Sequence, residues 1–247
     1  MSLKDSVTNF SCGFKHIIRR LLSGDLLFQI TFALMVLSFC AVIFWLPRAE
    51  EFANTYGSGG LAKVMFVHVP LAIVSFVAFV AAAIYGIFYL RTREVRYDAL
   101  ECASAEVGLV YALLATVTGA IWARYTWGAF WNWDPRQVAM VVVLSTYAAY
   151  FALRSAIEGE EQRMVISSAY AIFAAVMALV NYFVLINWLP TLHPRHVIFS
   201  RSGMGFEYRV LLFISLLAYV GLCACLIKLN SRLRLLAEHI AGLQCKR

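Results

Sequence analysis

Hydrophobic residues run along this chain in long uninterrupted blocks, without the two-residue alternation of a half-buried strand. Six blocks stand out: Leu26–Leu46, Val64–Leu90, Cys102–Trp122, Gln137–Leu153, Val165–Trp188 and Val210–Lys228. Each reaches or exceeds the roughly 17–25 apolar residues that a helix needs to cross a bilayer core. The pattern predicts an all-α polytopic membrane protein with six transmembrane helices, forming a single membrane domain over 1–247. The second block is long enough to tilt or to begin outside the hydrocarbon. A signal peptide is not expected, because the first block is too long and no small-residue cleavage site follows it. Ahead of it, Phe14–Leu22 with Lys15, Arg19 and Arg20 reads as a short basic amphipathic helix on the membrane surface.

Composition sharpens this picture. With 62% hydrophobic and only 14% charged residues and a mean hydropathy of +0.75, the chain carries more apolar surface than a soluble core of 247 residues could hide. Disorder, a collagen-like fibre and a disulfide scaffold are excluded by the same numbers. The net charge of +7 would suggest a nucleic-acid partner in a soluble protein, but here the placement of the cations matters more, and no nucleic acid is expected. Fourteen Lys and Arg lie in the N-terminal segment, the 91–101 and 154–164 loops and the C-terminal tail, against seven in the other three loops. The asymmetry places both termini in the cytoplasm and turns the loops at 47–63, 123–136 and 189–209 outward, toward the periplasm of a bacterial inner membrane. The six cysteines have no metal-ligand spacing and read as small apolar fillers.

All six tryptophans then fall on the outer side: Trp45, Trp122, Trp127, Trp131, Trp133 and Trp188. An aromatic belt accounts for Trp45, Trp122 and Trp188, but a belt decorates both interfaces and the inner one has none. Three crowd into Trp127-Gly128-Ala129-Phe130-Trp131-Asn132-Trp133-Asp134. Were that stretch helical, Trp127, Trp131 and Asp134 would share a face, making an aromatic shelf for a large flat apolar ligand. Asp134-Pro135-Arg136-Gln137 is a helix-start signature, with an N-cap carboxylate, proline at the first helical position and Gln at the third.

Histidines make the second constellation. His16 and His239 are cytoplasmic. His68, just before Pro70, and His193, in Leu192-His193-Pro194, fall on the same outer face as the tryptophan loop. Each taken alone suits a polar interfacial anchor. As a pair flanking an aromatic shelf, they suit bis-histidine ligation of haem iron, with His196 a substitute ligand. The outer arginines likewise have two readings, lipid headgroup contacts or partners for haem propionates; Arg124 and Arg136, which bracket the cluster, are the first choices for the latter. Glu106 reads as an interfacial carboxylate near the cytoplasmic end. There is no P-loop, nucleophile–base pair or HExxH motif, so ATP hydrolysis by the chain itself is excluded.

These residues resemble a known family. Six spans, the outward WGxxWxWD loop and the flanking histidines are similar to the haem exporter C family of cytochrome c maturation, within the tryptophan-rich-motif superfamily. The resemblance runs from about Leu26 to Lys228 and also rests on Thr191-Leu192-His193 and His68-Val69-Pro70. It implies a haem-handling protein, not an enzyme, in which Trp127, Gly128, Trp131, Trp133 and Asp134, with Arg124 and Arg136, would hold non-covalent haem b on the outer face. His68 and His193 would be its axial ligands. It further implies delivery to a periplasmic haem chaperone, alongside ATP-binding-cassette transporter subunits of the maturation complex. Phe130 stands where many relatives carry a further tryptophan. The Trp-Asp-Pro-basic pattern also resembles larger haem lyases, which have extra spans. Two alternatives therefore remain: the core of a lyase attaching haem to apocytochrome directly, and a haem-free structural subunit of a transporter.

Overall fold

The computed structural model describes residues 26–45, 63–185, 188–193 and 205–244. The basic segment Phe14–Leu22 and the residues His16, Arg48, Arg195, His196 and Arg201, together with the side chain of Trp45, lie outside the described residues. Among the described residues there is no strand, and six helices are long and apolar enough to cross a membrane. They are α1 (Leu26–Cys40), α2 (Met65–Thr92), α3 (Val95–Trp127), α4 (Pro135–Ala156), α5 (Glu160–Leu179) and α6 (Phe206–Gln244). α1 and α5 each run on into a short π-helical turn, Ala41–Trp45 and Val180–Leu185.

The helices overrun the predicted spans mainly at their polar ends. α3 has 33 residues and α6 has 39, so at 1.5 Å rise per residue they are about 50 and 60 Å long, well beyond a hydrocarbon core of roughly 30 Å. Their charged turns protrude as helix or find partners inside the protein. Asp98 and Glu101, both fully buried, are of the second kind. Arg154 of α4 donates to both oxygens of Asp98, at 2.8 and 2.5 Å. Glu101 accepts from the Tyr150 hydroxyl at 2.8 Å and the Ser168 hydroxyl at 2.7 Å. Together they bolt α3, α4 and α5 at the end of the bundle opposite the tryptophan loop. Glu106 lies nearby and accepts from Asn230 and Arg234 of α6, at 2.7 and 2.5 Å.

α2 is the central helix, packed on α3, α5 and α6, while α1 lies against α6. Lipid offers no hydrophobic drive between helices, so close approach depends on small side chains. Ala78, Ala82, Ala105, Ala112, Ala115, Ala171, Ala174 and Ala178 are accordingly buried at the contacts, around a stacked Phe79–Tyr147 pair with ring centroids 3.7 Å apart. Large apolar residues such as Phe32, Phe39, Leu113, Val117 and Phe173 point outward. The π turn after α5 is tied to the start of α4 by Asn181, whose amide donates to the Ala139 carbonyl at 2.8 Å. That contact brings the segment 188–193 beside the first turn of α4.

Candidate functional site

α3 stops where its sequence allows a left-handed residue: Gly128 has φ +84° and caps Trp127. Arg124, one turn earlier, donates to the Gly128 carbonyl and lies 6.0 Å over the Phe130 ring. The following loop is held by amides. Asn132 donates to the Ala129 carbonyl at 3.0 Å, and Gln137 accepts from the Asn132 N–H at 2.9 Å while donating to the Phe130 carbonyl at 3.2 Å. The signature Gln thus braces the loop two residues ahead of the cap rather than the cap itself. The loop is not helical, which corrects the shared helical face expected for Trp127, Trp131 and Asp134. Gly128 ends the helix, and Trp133 takes φ +55°, a left-handed conformation rare for a bulky side chain. Nor is there a flat shelf: the Trp131 and Trp133 rings meet edge to face, 84° apart with centroids at 5.8 Å, and Trp133 is 78% exposed.

Asp134 is the polar centre of this end. It is the N-cap of α4 with Pro135 at the first helical position, and it is buried. One carboxylate oxygen, Oδ1, accepts from the Arg136 N–H and from His193 Nδ1, each at 2.9 Å. The other, Oδ2, accepts from the Leu192 N–H at 2.6 Å and the Thr191 hydroxyl at 2.8 Å. Thr191 Oγ1 in turn accepts from the His193 N–H at 3.1 Å. Burial alone would raise the Asp134 pKa, but the N–H of Leu192, the Thr191 hydroxyl and the N–H of Arg136 hold it below the ordinary carboxylate value. The opposite holds for His193: burial outweighs the attraction of Asp134 and lowers its pKa to about 4, with Arg136 adding to the fall. The imidazole is neutral at pH 7. A carboxylate can only accept, so the His193 proton sits on Nδ1 and Nε2 is unprotonated. Trp127 meets the same ring edge to face, with centroids 4.8 Å apart.

His68 is built on the same plan from other elements. It lies one turn into α2, against the end of α3, where Nδ1 is 2.9 Å from the Ala115 carbonyl and 3.3 Å from the Thr118 hydroxyl. A carbonyl also only accepts, so here too the proton is on Nδ1 and Nε2 is left with its lone pair. Trp122 closes one side, edge to face at 6.0 Å. The ring fits because position 119 is glycine: a Cβ there would stand 2.6 Å from His68 Cε1.

The structure therefore brings His68, His193, Trp122, Trp127 and Asp134 to one end of the bundle, with Arg136 beginning α4 beside them. Arg136 Nε is buried and has no hydrogen-bond partner among the described residues. Trp133, with half-buried Trp131 against it, forms the exposed edge of this region, and Arg124 is engaged in ending α3. Among the described residues no three His, Cys, Asp or Glu side chains converge as a metal centre. Sequence reasoning missed Gly119, whose small size was the available signal, and the carbonyl of Ala115, which leaves no signal in the sequence. It also assigned Asp98, Glu101 and Arg154 to loops, although they face one another inside the bundle.

The chain matches the family model described as "Heme exporter protein C" over residues 13–246. Among similar curated proteins, heme exporter protein C of Paracoccus denitrificans is 27% identical over 76% of this chain and 79% of its own length. That of Rhodobacter capsulatus is 27% identical over 81% of each. A protein of Arabidopsis thaliana described as a cytochrome c biosynthesis ccmC-like mitochondrial protein is 26% identical over 74% of this chain and 69% of its own.

Proposed function

This chain belongs to the haem exporter protein C family and handles haem for cytochrome c maturation as a multi-pass membrane protein, and from that premise we propose that it binds haem at the tryptophan-loop end and delivers it to a haem chaperone. The iron is held by Nε2 of His68 and Nε2 of His193, as non-covalent haem b. The observation that carries this reading is the shared construction of the two histidines. Each has its Nδ1 proton committed to an acceptor-only oxygen, Ala115 O or Asp134 Oδ1, so each presents an unprotonated Nε2 on a ring that cannot turn freely. A pair of interfacial anchors would have no need of that tautomer on both rings.

The remaining residues fit the same cargo. Trp122 and Trp127 flank the imidazoles, and Trp131 and Trp133 extend the apolar surface outward around Gly128. Arg136, whose buried Nε has no hydrogen-bond partner among the described residues, suits a propionate carboxylate, and Arg124 stands at the loop's other end. Asp134 acts on the iron through His193, fixing the ring and making its Nε2 a better donor. With the cytoplasmic termini that the charge bias implies, this end faces the periplasm of the inner membrane, and hand-over goes to a periplasmic haem chaperone working with ATP-binding-cassette subunits. The exposed Trp133, with Trp131 edge to face against it, is where an acceptor would reach the cargo.

The test is an absorption spectrum of the detergent-purified protein, oxidised and reduced, beside His68→Ala and His193→Ala. Low-spin bands that are lost or broadened in both variants are expected, with membrane levels unchanged. A wild type that stays colourless after haem is added would overturn the reading in favour of a haem-free subunit. Haem attached to apocytochrome without any chaperone present would overturn the delivery step in favour of a lyase.

A further inference from the structure

α1 and α6 run antiparallel. Ser38 Oγ is 2.7 Å from Ser215 Oγ, Cys225 Sγ is 3.7 Å from Thr31 Oγ1, and a Cβ at Gly221 would stand 2.5 Å from Thr31 Oγ1. Leu26, where α1 begins, is therefore about level with Asn230, yet α6 continues to Gln244, roughly 20 Å further. The face that α6 turns toward α1 runs on past that level: from Cys225, steps of three or four residues lead to Leu229, Leu233, Leu236 and Ile240. Leu233, Leu236 and Ile240 are 36%, 42% and 45% exposed. A bilayer core takes about 20 helical residues, so a span that starts near Val210 ends near Lys228, and this stripe stands beyond the hydrocarbon. An apolar stripe on a helix in water is a contact surface.

The chain ahead of α1 carries a matching face. Phe14, Ile17, Ile18, Leu21 and Leu22 are spaced as one side of a helix, with Lys15, His16, Arg19 and Arg20 on the other. Carrying the α1–α6 register back through Ser23-Gly24-Asp25 sets Leu22 opposite Leu233, Ile18 opposite Leu236 and Phe14 opposite Ile240. We propose that Phe14–Leu22 docks as a helix, antiparallel, on the Leu233–Leu236–Ile240 stripe of α6. Continuity singles out this occupant: the stripe prolongs an interface that α1 already makes, and the segment is joined to α1 by three residues. Docking covers both apolar faces at once and ties α1, which lies against α6, to the bundle outside the membrane as well as within it. A segment lying flat on the bilayer would cover only its own. The stripe is at the end of the bundle opposite His68 and His193, so the assignment stands independently of the haem site.

Cysteine pairs in the full chain, oxidised with copper phenanthroline in isolated membranes, test the register. In a background with Cys12→Ser, Cys40→Ser and Cys245→Ser, Phe14→Cys with Ile240→Cys should form a disulfide within one chain, and so should Ile18→Cys with Leu236→Cys, each read by mass spectrometry of the linked peptides. Phe14→Cys with Leu233→Cys is displaced by about 10 Å along α6, beyond the roughly 7 Å that a disulfide spans, and should stay reduced. Adding Ile17→Glu and Leu21→Glu, which put charge on the segment's apolar face, should abolish both in-register links. The absence of either in-register link, equal yields from all three pairs, or links that survive the added charges would overturn the proposal. So would disulfides between two chains, which would give the stripe to a second copy, and quenching of a fluorophore at Ile18→Cys by brominated lipid, which would lay the segment on the bilayer.

Discussion

Asp134 joins two tasks on two oxygens: it caps α4 and it holds His193. The joint use makes Asp134→Asn an informative change. An amide offers one accepting oxygen, yet four donors face this side chain, two on each side. If the NH₂ replaces Oδ2 it meets the Leu192 N–H; if it replaces Oδ1 it meets the Arg136 N–H, and His193 must move its proton to Nε2 to accept from it. Either way a backbone donor loses its partner, at a cost of about 1–3 kcal/mol, and the second arrangement removes the lone pair proposed to bind iron. Asp134→Asn should therefore lower thermal stability in detergent and weaken haem retention together. Adding His193→Ala to it should cost little further haem, because both changes strike the same ligand; additive losses would mean that Asp134 only caps the helix. Gly119 gives the complementary test on the other histidine. In Gly119→Val the new Cβ, 2.6 Å from His68 Cε1, must push the ring off its Ala115 anchor. The spectrum should then approach that of His68→Ala while membrane insertion is kept, and a wild-type spectrum would show that the ring's seat does not matter.

Helices are where the hydropathy pattern was most informative and where its limits have a clear physical origin. All six spans were legible, because a bilayer forces long apolar runs whatever the tertiary contacts. The start of α3 was not: a reading that stops at charge begins the helix at Cys102, whereas Asp98 and Glu101 continue it inside the protein because Arg154, Tyr150 and Ser168 satisfy them from other helices. The cap at Asp134 was readable because its chemistry is local, spanning Asp134 to Gln137. The Asp134–His193 bond was not, since it joins residues 59 apart and depends on the π turn and Asn181 to deliver the 188–193 segment. The tryptophan motif itself was legible, but its path was set by the positive φ of Gly128 and Trp133, which turned an expected shelf into an edge-to-face pair. A prediction belongs to the buried pair at the other end. Asp98→Asn or Arg154→Met alone leaves an uncompensated buried charge and should destabilise by about 3–5 kcal/mol, while Asp98→Leu with Arg154→Met should recover most of it. Thermal unfolding of the three variants in one detergent checks this, and a double variant as weak as the worse single one would show that the ion pair is needed as such.

At the scale of the whole molecule the bundle is polarised. One end carries both histidines, Trp122, Trp127 and Asp134; the other carries the Asp98–Arg154 and Glu106–Arg234 ion pairs. On the proposed reading, the excess of Lys and Arg in the N-terminal segment, the 91–101 and 154–164 loops and the C-terminal tail puts the end of the bundle opposite the histidines in the cytoplasm. The direction decides the biology, because a haem site facing outward can meet only an acceptor on that side. Single reporters in a background without the six native cysteines test the assignment, using a maleimide that cannot cross the membrane. Ala129→Cys, in the tryptophan loop, should be labelled in spheroplasts, whereas Glu158→Cys, in the turn between α4 and α5, should be labelled only after the membrane is opened. The reverse pattern would place the histidines in the cytoplasm, and the chain would then receive haem at that end rather than present it to a chaperone outside.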